Sequence, residues 1–88
     1  MYRLVLSDRF KRSLREFVRK HPELHATVQE RFEILSRNPR DPSIRTHKLT
    51  GKLKGLLAAS ITHEYRVVFY VEKDFIFLLA IGSHEEVY

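Results

Sequence analysis

With 88 residues the chain is one domain around one core, and 43% hydrophobic against 31% charged residues is the composition of a packed globule. The absence of cysteine excludes a disulfide framework, a thiol nucleophile and a thiolate zinc site, and no apolar run approaches the roughly 20 residues of a membrane span. Sixteen Lys and Arg against eleven Asp and Glu leave a charge of +5 and a pI near 9.8, which favours a polyanionic or acidic partner.

The opening Met1-Tyr2-Arg3-Leu4-Val5-Leu6 is too short and too quickly charged for a secretory signal, so a cytoplasmic protein is expected. Tyr2 to Leu6 reads as a short strand, and Ser7-Asp8 supplies a helix N-cap. Phe10, Leu14, Phe17 and Val18 then recur on one helical face, with Lys11, Arg12, Arg15 and Arg19 on the others, predicting an amphipathic helix that stops near Lys20. His21-Pro22 breaks it and starts a second helix, because proline is tolerated at the first helical position. Leu24, Val28, Phe32 and Leu35 are the buried face of that helix, which ends before Asn38-Pro39.

Three β-rich runs follow, Gly55 to Thr62, Tyr65 to Glu72 and Phe75 to Gly82. The links His63-Glu64 and Lys73-Asp74 are short enough for hairpin turns, which predicts a three-stranded antiparallel meander. Val67 to Val71 is apolar on both faces, as a central strand should be. The expected fold is therefore α+β, β-α-α-β-β-β, with a helical hairpin packed on an antiparallel sheet and residues 1–88 forming a single domain.

Charge is concentrated between Arg37 and Lys54, where Arg37, Arg40, Arg45, Lys48, Lys52, Lys54 and His47 are offset by Asp41 alone. Such a patch suits contact with phosphates. Two other constellations fail. His21 and His25 have the i, i+4 spacing of a helical metal pair, but no carboxylate is patterned beside them, so no metal is expected. Gly51 and Gly55 bracket a basic turn without the glycine set or Lys-Ser/Thr ending of a P-loop, so no nucleotide cofactor is expected either.

The ordered set His47-Lys48-Leu49-Thr50-Gly51-Lys52-Leu53-Lys54-Gly55, then Glu64-Tyr65-Arg66-Val67-Val68-Phe69, then Ile81-Gly82-Ser83-His84-Glu85-Glu86-Val87-Tyr88 resembles the second half of RelE/ParE superfamily toxins, nearest their YafQ and RelE/StbE branches. The resemblance implies the toxin of a type II toxin–antitoxin pair that cleaves mRNA in the A site of the small ribosomal subunit without a metal or other cofactor. It also implies a cognate antitoxin and a hetero-oligomeric complex. In that chemistry a nucleotide 2′-OH attacks its own phosphodiester, which calls for a base, cations on the phosphate and an acid for the 5′ oxygen.

The resemblance assigns those roles to His84, Arg66, Tyr88, His47 and Glu64. His84 follows the last strand in the Gly82-Ser83-His84 turn, and an imidazole with a pKa of about 6.5 suits proton transfer near neutrality. Arg66 opens the central strand; a guanidinium there can bridge two phosphate oxygens, or form a structural salt bridge to Glu64 or Glu72. Tyr88 matches a terminal Tyr or Phe that stacks on a base or assists proton transfer. Lys48, Lys52, Lys54, Arg45, Tyr65 and His63 are the expected RNA contacts. Two positions depart from the pattern: Ser60 stands where YafQ-like members carry a histidine, with His63 three residues on, and Ala80 replaces an arginine. Two alternatives stay open: a ParE-like inhibitor of DNA gyrase that shares the fold, against which His84 and Arg66 argue, and a catalytically silent binder of RNA or antitoxin, which the departures at Ser60 and Ala80 support.

Overall fold

A computed structural model describes all 88 residues. β1 (Arg3–Leu6) leads into α1 (Asp8–Lys20), whose N-cap is Ser7, its hydroxyl accepting the Phe10 amide at 3.1 Å. A 3₁₀ turn at Pro22–Leu24 follows, with proline in its first turn, so the α-helix proper, α2 (His25–Arg37), begins three residues later than the proline alone suggests. Phe10 at the start of α1 meets Phe32 near the end of α2, ring centroids 6.5 Å apart, which makes the pair an antiparallel hairpin.

The second half adds β2 (His47–Lys48), β3 (Leu57–Ser60), β4 (Tyr65–Glu72), β5 (Phe75–Ser83) and a one-turn helix, α3 (His84–Val87). The strands form one sheet in the order β1-β5-β4-β3-β2. The antiparallel meander is as expected, with two additions. β2 pairs with β3, and β1 lies parallel to β5, Arg3 to Leu6 beside Phe75 to Leu78. Both additions are pairings between segments distant in sequence, which local periodicity does not record. The first hairpin link is also longer than two residues: Ile61 to Glu64 form the turn, closed by the Ile61 and Thr62 amides donating to the Tyr65 carbonyl.

The helices cover one face of the sheet. Phe10, Phe17, Val28 and Leu35 pack there against Ile44, Leu57, Ala59, Ile61, Val67, Phe69, Ile76 and Leu78, all buried. At about 25 cal/mol per Å² of apolar surface, fully burying a side chain such as Phe69 or Ile76 contributes roughly 1.5–3 kcal/mol. The opposite face carries a smaller cluster, Leu49, Ala58 and Val68, flanked by Leu53, Leu56, Ala80 and Val87.

A β-bulge decides which residues face that second side. Phe69 pairs with Leu78 but Val68 pairs with Ala80, leaving Leu79 as the extra residue. The extra residue inverts the in-out alternation of the end of β5. Ile76 and Leu78 point to the helices, but so does Ile81, while Ala80 shares the opposite cluster. The chain therefore leaves β5 on the second face, where α3 packs.

Candidate functional site

The site is built around the end of β5. Ser83 caps α3: its hydroxyl accepts the Glu86 amide at 3.3 Å, and its own amide donates to Glu86 Oε1 at 2.8 Å, a reciprocal capping box. These bonds, backbone first, hold the Glu86 carboxyl below the usual carboxylate range. A Cβ on Gly82 would come within 3.1 Å of Glu86 Cβ, so the glycine leaves room for the carboxylate to fold back over the cap. His84, expected in a strand-end loop, is instead the first residue of this helix. The one-turn geometry brings Tyr88 back onto it, with ring centroids 4.2 Å apart at 67° and the Tyr88 amide donating to the His84 carbonyl at 3.0 Å.

His47 arrives from the far edge of the sheet. It pairs with Ala58 on the α3 side, and its Nε2 lies 3.3 Å from the Tyr88 hydroxyl. Its Nδ1 lies 3.4 Å from the Arg45 carbonyl. A proton assigned to Nδ1 for that carbonyl makes Nε2 the acceptor of the Tyr88 O–H. Burial pushes the Tyr88 phenol above its ordinary pKa while the charge of Arg66 pulls it back, so the phenol remains protonated at neutral pH. His47, Lys48, Leu49, Thr50, Lys52, Leu53, His84 and Tyr88 together line a cleft of about 480 Å³.

Arg66 does not line this cleft; it sits on β4 between Ser60 and Gly82, and Gly82 lies two residues before His84. Its Nη1 donates to the carbonyls of Thr62, His63 and Tyr65 at 2.9, 3.0 and 3.3 Å. No carboxylate is within ion-pair reach, so the alternative of a structural salt bridge to Glu64 or Glu72 is not realised. The carbonyls anchor one nitrogen and leave the rest of the fork free.

The other sequence candidates divide. Tyr65 turns away: its ring packs edge-on against Phe17 at 5.1 Å and beside His21 at 4.7 Å, under α1. Successive strand residues point to opposite faces, so a strand that aims Arg66 at the site must aim Tyr65 at the core. Glu64 sits exposed in the β3–β4 turn, its amide bonded to Thr62 Oγ1 and its carboxylate unpaired with any site residue. Lys54 lines a different cleft, of about 550 Å³, with Arg40 and Lys48 at its rim. Arg45 and His63 join Arg66 in a third cleft that also contains Arg31, Ser43 and Ser60. Arg31 was not foreseen; it comes from α2, and no local pattern connects it to β4.

No three His, Cys, Asp or Glu side chains come together as a group. His21, which caps the end of α1 outside the helix, packs its ring against Phe17.

The fold and site can be compared with known proteins. A family model for the bacterial toxin of type II toxin–antitoxin systems, YafQ, matches residues 2–88. Among solved structures, a copper-bound variant of a toxin from Helicobacter pylori is 27% identical, with a TM-score of 0.83 and 100% of both chains covered. YafQ from Escherichia coli strain BL21(DE3) is 13% identical with a TM-score of 0.82, covering 100% of this chain and 99% of that one. The YoeB-YefM complex from Staphylococcus aureus gives 21% and 0.75, covering 96% and 98%. No curated protein sequence matches. With the match spanning nearly every residue and the fold agreeing over the whole chain, the protein belongs to the YafQ family of type II toxin–antitoxin toxins.

Proposed function

We propose that this toxin is an mRNA endoribonuclease, acting on messenger RNA in the ribosomal A site without a metal. The observation that carries the reading is the convergence of His84, Tyr88 and His47, from a helix and a strand 41 positions apart, beside the free fork of Arg66. In the proposed step His84 takes the proton of a 2′-OH, whose oxygen forms a bond to the adjacent phosphorus. The bond from phosphorus to the 5′ oxygen breaks, leaving a 2′,3′-cyclic phosphate. Tyr88, protonated and hydrogen-bonded to His47, supplies the proton to the departing oxygen. Arg66 holds the phosphate as charge builds on it. Lys48 and Lys52 steer the RNA into the same cleft.

The reading includes an antitoxin. The groove between α1 and α2 is lined by Leu14, Val18, Val28 and Phe32 and edged by Lys11 and Arg15, which suits an acidic amphipathic segment that folds as it binds. A toxin–antitoxin complex of the related fold supports the partnership. No helix is long and apolar enough to cross a membrane.

The test is cleavage mapped by mRNA 5′ ends on translating ribosomes. His84→Ala and Arg66→Ala should each lower the rate by about 10²–10⁴-fold, the usual loss for a positioned acid, base or charge. Chelator should change nothing. Full cleavage by the folded double variant would sink the proposal, and gyrase-dependent DNA breaks in its place would redirect it.

A further inference from the structure

Beyond the His84 cleft, Arg31, Ser43, Arg45, Ser60, Ile61, Thr62, His63 and Arg66 enclose about 310 Å³ with one hydrophobic residue and no carboxylate among them. Three guanidiniums from α2, the loop before β2, and β4 converge there. Each is positioned by backbone. Arg31 Nε donates to the Ile61 carbonyl at 3.2 Å, and Arg66 Nη1 is held by the three carbonyls of the β3–β4 turn. Arg45 follows the 3₁₀ turn Pro42–Ile44 and adopts a left-handed φ of 51°, uncommon for a residue with a side chain. Only Arg31 has an acidic neighbour, Glu30, bonded to its Nη1 at 2.7 Å on the exposed side. The guanidinium of Arg45 has no protein partner.

Three like charges with one counter-charge, Glu30, among them repel and destabilise a fold, so the arrangement suits an anion that arrives from outside. Arg66 belongs to this cleft and pairs with Gly82, two residues before His84, so the cleft lies on the strand next to the one that carries the His84 site.

We propose that the Arg31–Arg45–Arg66 cleft is a second phosphate subsite, which holds an RNA phosphodiester neighbouring the one that is cut and so sets the register of the strand across His84. The proposal rests on the nuclease reading for its substrate but not for its test. Arg45 and Arg31 are positioning residues: they grip the chain away from the reacting atoms. The unbonded fork of Arg45 suits this task, since it can bridge two oxygens of one phosphate, while Arg31 and Arg66 offer the N–H groups that the backbone and Glu30 leave free.

The experiment measures binding of a 2′-O-methyl RNA oligonucleotide, which cannot be cut, to the folded protein by fluorescence anisotropy over a range of salt. An Arg31→Gln, Arg45→Gln double variant should bind about tenfold or more weakly, the scale of lost charge-assisted bonds. Its slope of log affinity against log salt should be shallower by about 0.7 for the one phosphate released. Arg45→Lys, which keeps the charge but loses the fork, should recover the slope more than the affinity. Arg45→Gln alone disturbs no internal bond, so its thermal midpoint should be unchanged or higher, and its weaker binding excludes misfolding as the cause. Equal affinity and slope in wild type and double variant would overturn the subsite, as would absence of RNA binding by the wild type. Displacement of the RNA by millimolar inorganic phosphate alone would mean a free-anion site and overturn it too. If instead His84→Ala, Arg66→Ala protein still cleaves while the Arg31→Gln, Arg45→Gln variant loses binding, the catalytic assignment falls and the subsite stands.

Discussion

Replacing Ser83 with alanine asks directly whether the capping box holds the site together. The substitution removes the hydroxyl that accepts the Glu86 amide at 3.3 Å but leaves the Ser83 amide free to reach Glu86 Oε1, so half of the box is lost. Loss of a serine N-cap costs about 1 kcal/mol. α3 is a single turn at the end of the chain, held further by Val87 against the Leu49, Ala58 and Val68 cluster, so local opening absorbs nearly all of that cost. A change of about 1 kcal/mol multiplies the opening equilibrium about fivefold. Amide hydrogen exchange followed by NMR should therefore quicken about fivefold at Tyr88, and by more at Glu86, whose own acceptor is gone, with β4 amides such as Val67 and Phe69 unaffected. Cleavage should fall by less than fivefold, in step with the population of intact α3.

Acid attacks the same box from the Glu86 side. Its carboxyl is lowered on folding from 4.5, so the stability it adds is present above that value and is lost as pH falls through the lower, folded pKa. Corrected for intrinsic rates, protection of Tyr88 should hold at neutral pH and drop only on the acid side of 4.5. Equal acceleration throughout the sheet in Ser83→Ala, or none at Tyr88, would refute the idea that the box positions His84 and Tyr88.

Two further predictions concern Tyr88 and the helix groove. Tyr88→Phe keeps the ring against His84 but removes the hydroxyl that supplies the leaving-group proton, so cleavage should fall nearly as far as on deletion of Tyr88; a much smaller loss than on deletion would restrict Tyr88 to packing. Because burial raises its pKa, the phenol should titrate by ultraviolet difference spectroscopy above the ordinary value of 10.0, and the stability linked to it should be complete below that pH and decline as pH rises through the folded pKa. Leu14→Glu with Val18→Glu places two carboxylates in the α1–α2 groove, where they would repel an acidic segment. Coexpressed antitoxin should then fail to copurify or restore growth while the helical circular dichroism persists, and retention of a tight complex would remove the groove from the antitoxin interface.

Much of the fold was legible because its causes are local. The Ser7 cap, the Phe10-Leu14-Phe17-Val18 stripe and the Asn38-Pro39 stop need only neighbouring residues to act, and the two helices end where those signals lie. The doubly apolar run Val67 to Val71 likewise announced a strand covered on its inner face and partly on its outer one. The order of His47, Arg66, His84 and Tyr88 along the chain was readable as a family pattern, but their relative positions were not. Pairing of β2 with β3 brings His47 to Tyr88, and the bulge at Leu79 decides that β5 delivers α3 to the same face. Strand alternation then separates two neighbours that looked equivalent, sending Arg66 to the site and Tyr65 beneath α1. Arg31 enters its cleft only because the helices lie across the sheet, bringing its guanidinium to the Ile61 carbonyl. Helix stripes and caps are set within a few residues by backbone geometry, so the sequence determined them by itself. Register, parity and the meeting of distant side chains depend on strand pairing and packing across the whole chain, and only the tertiary structure decided those.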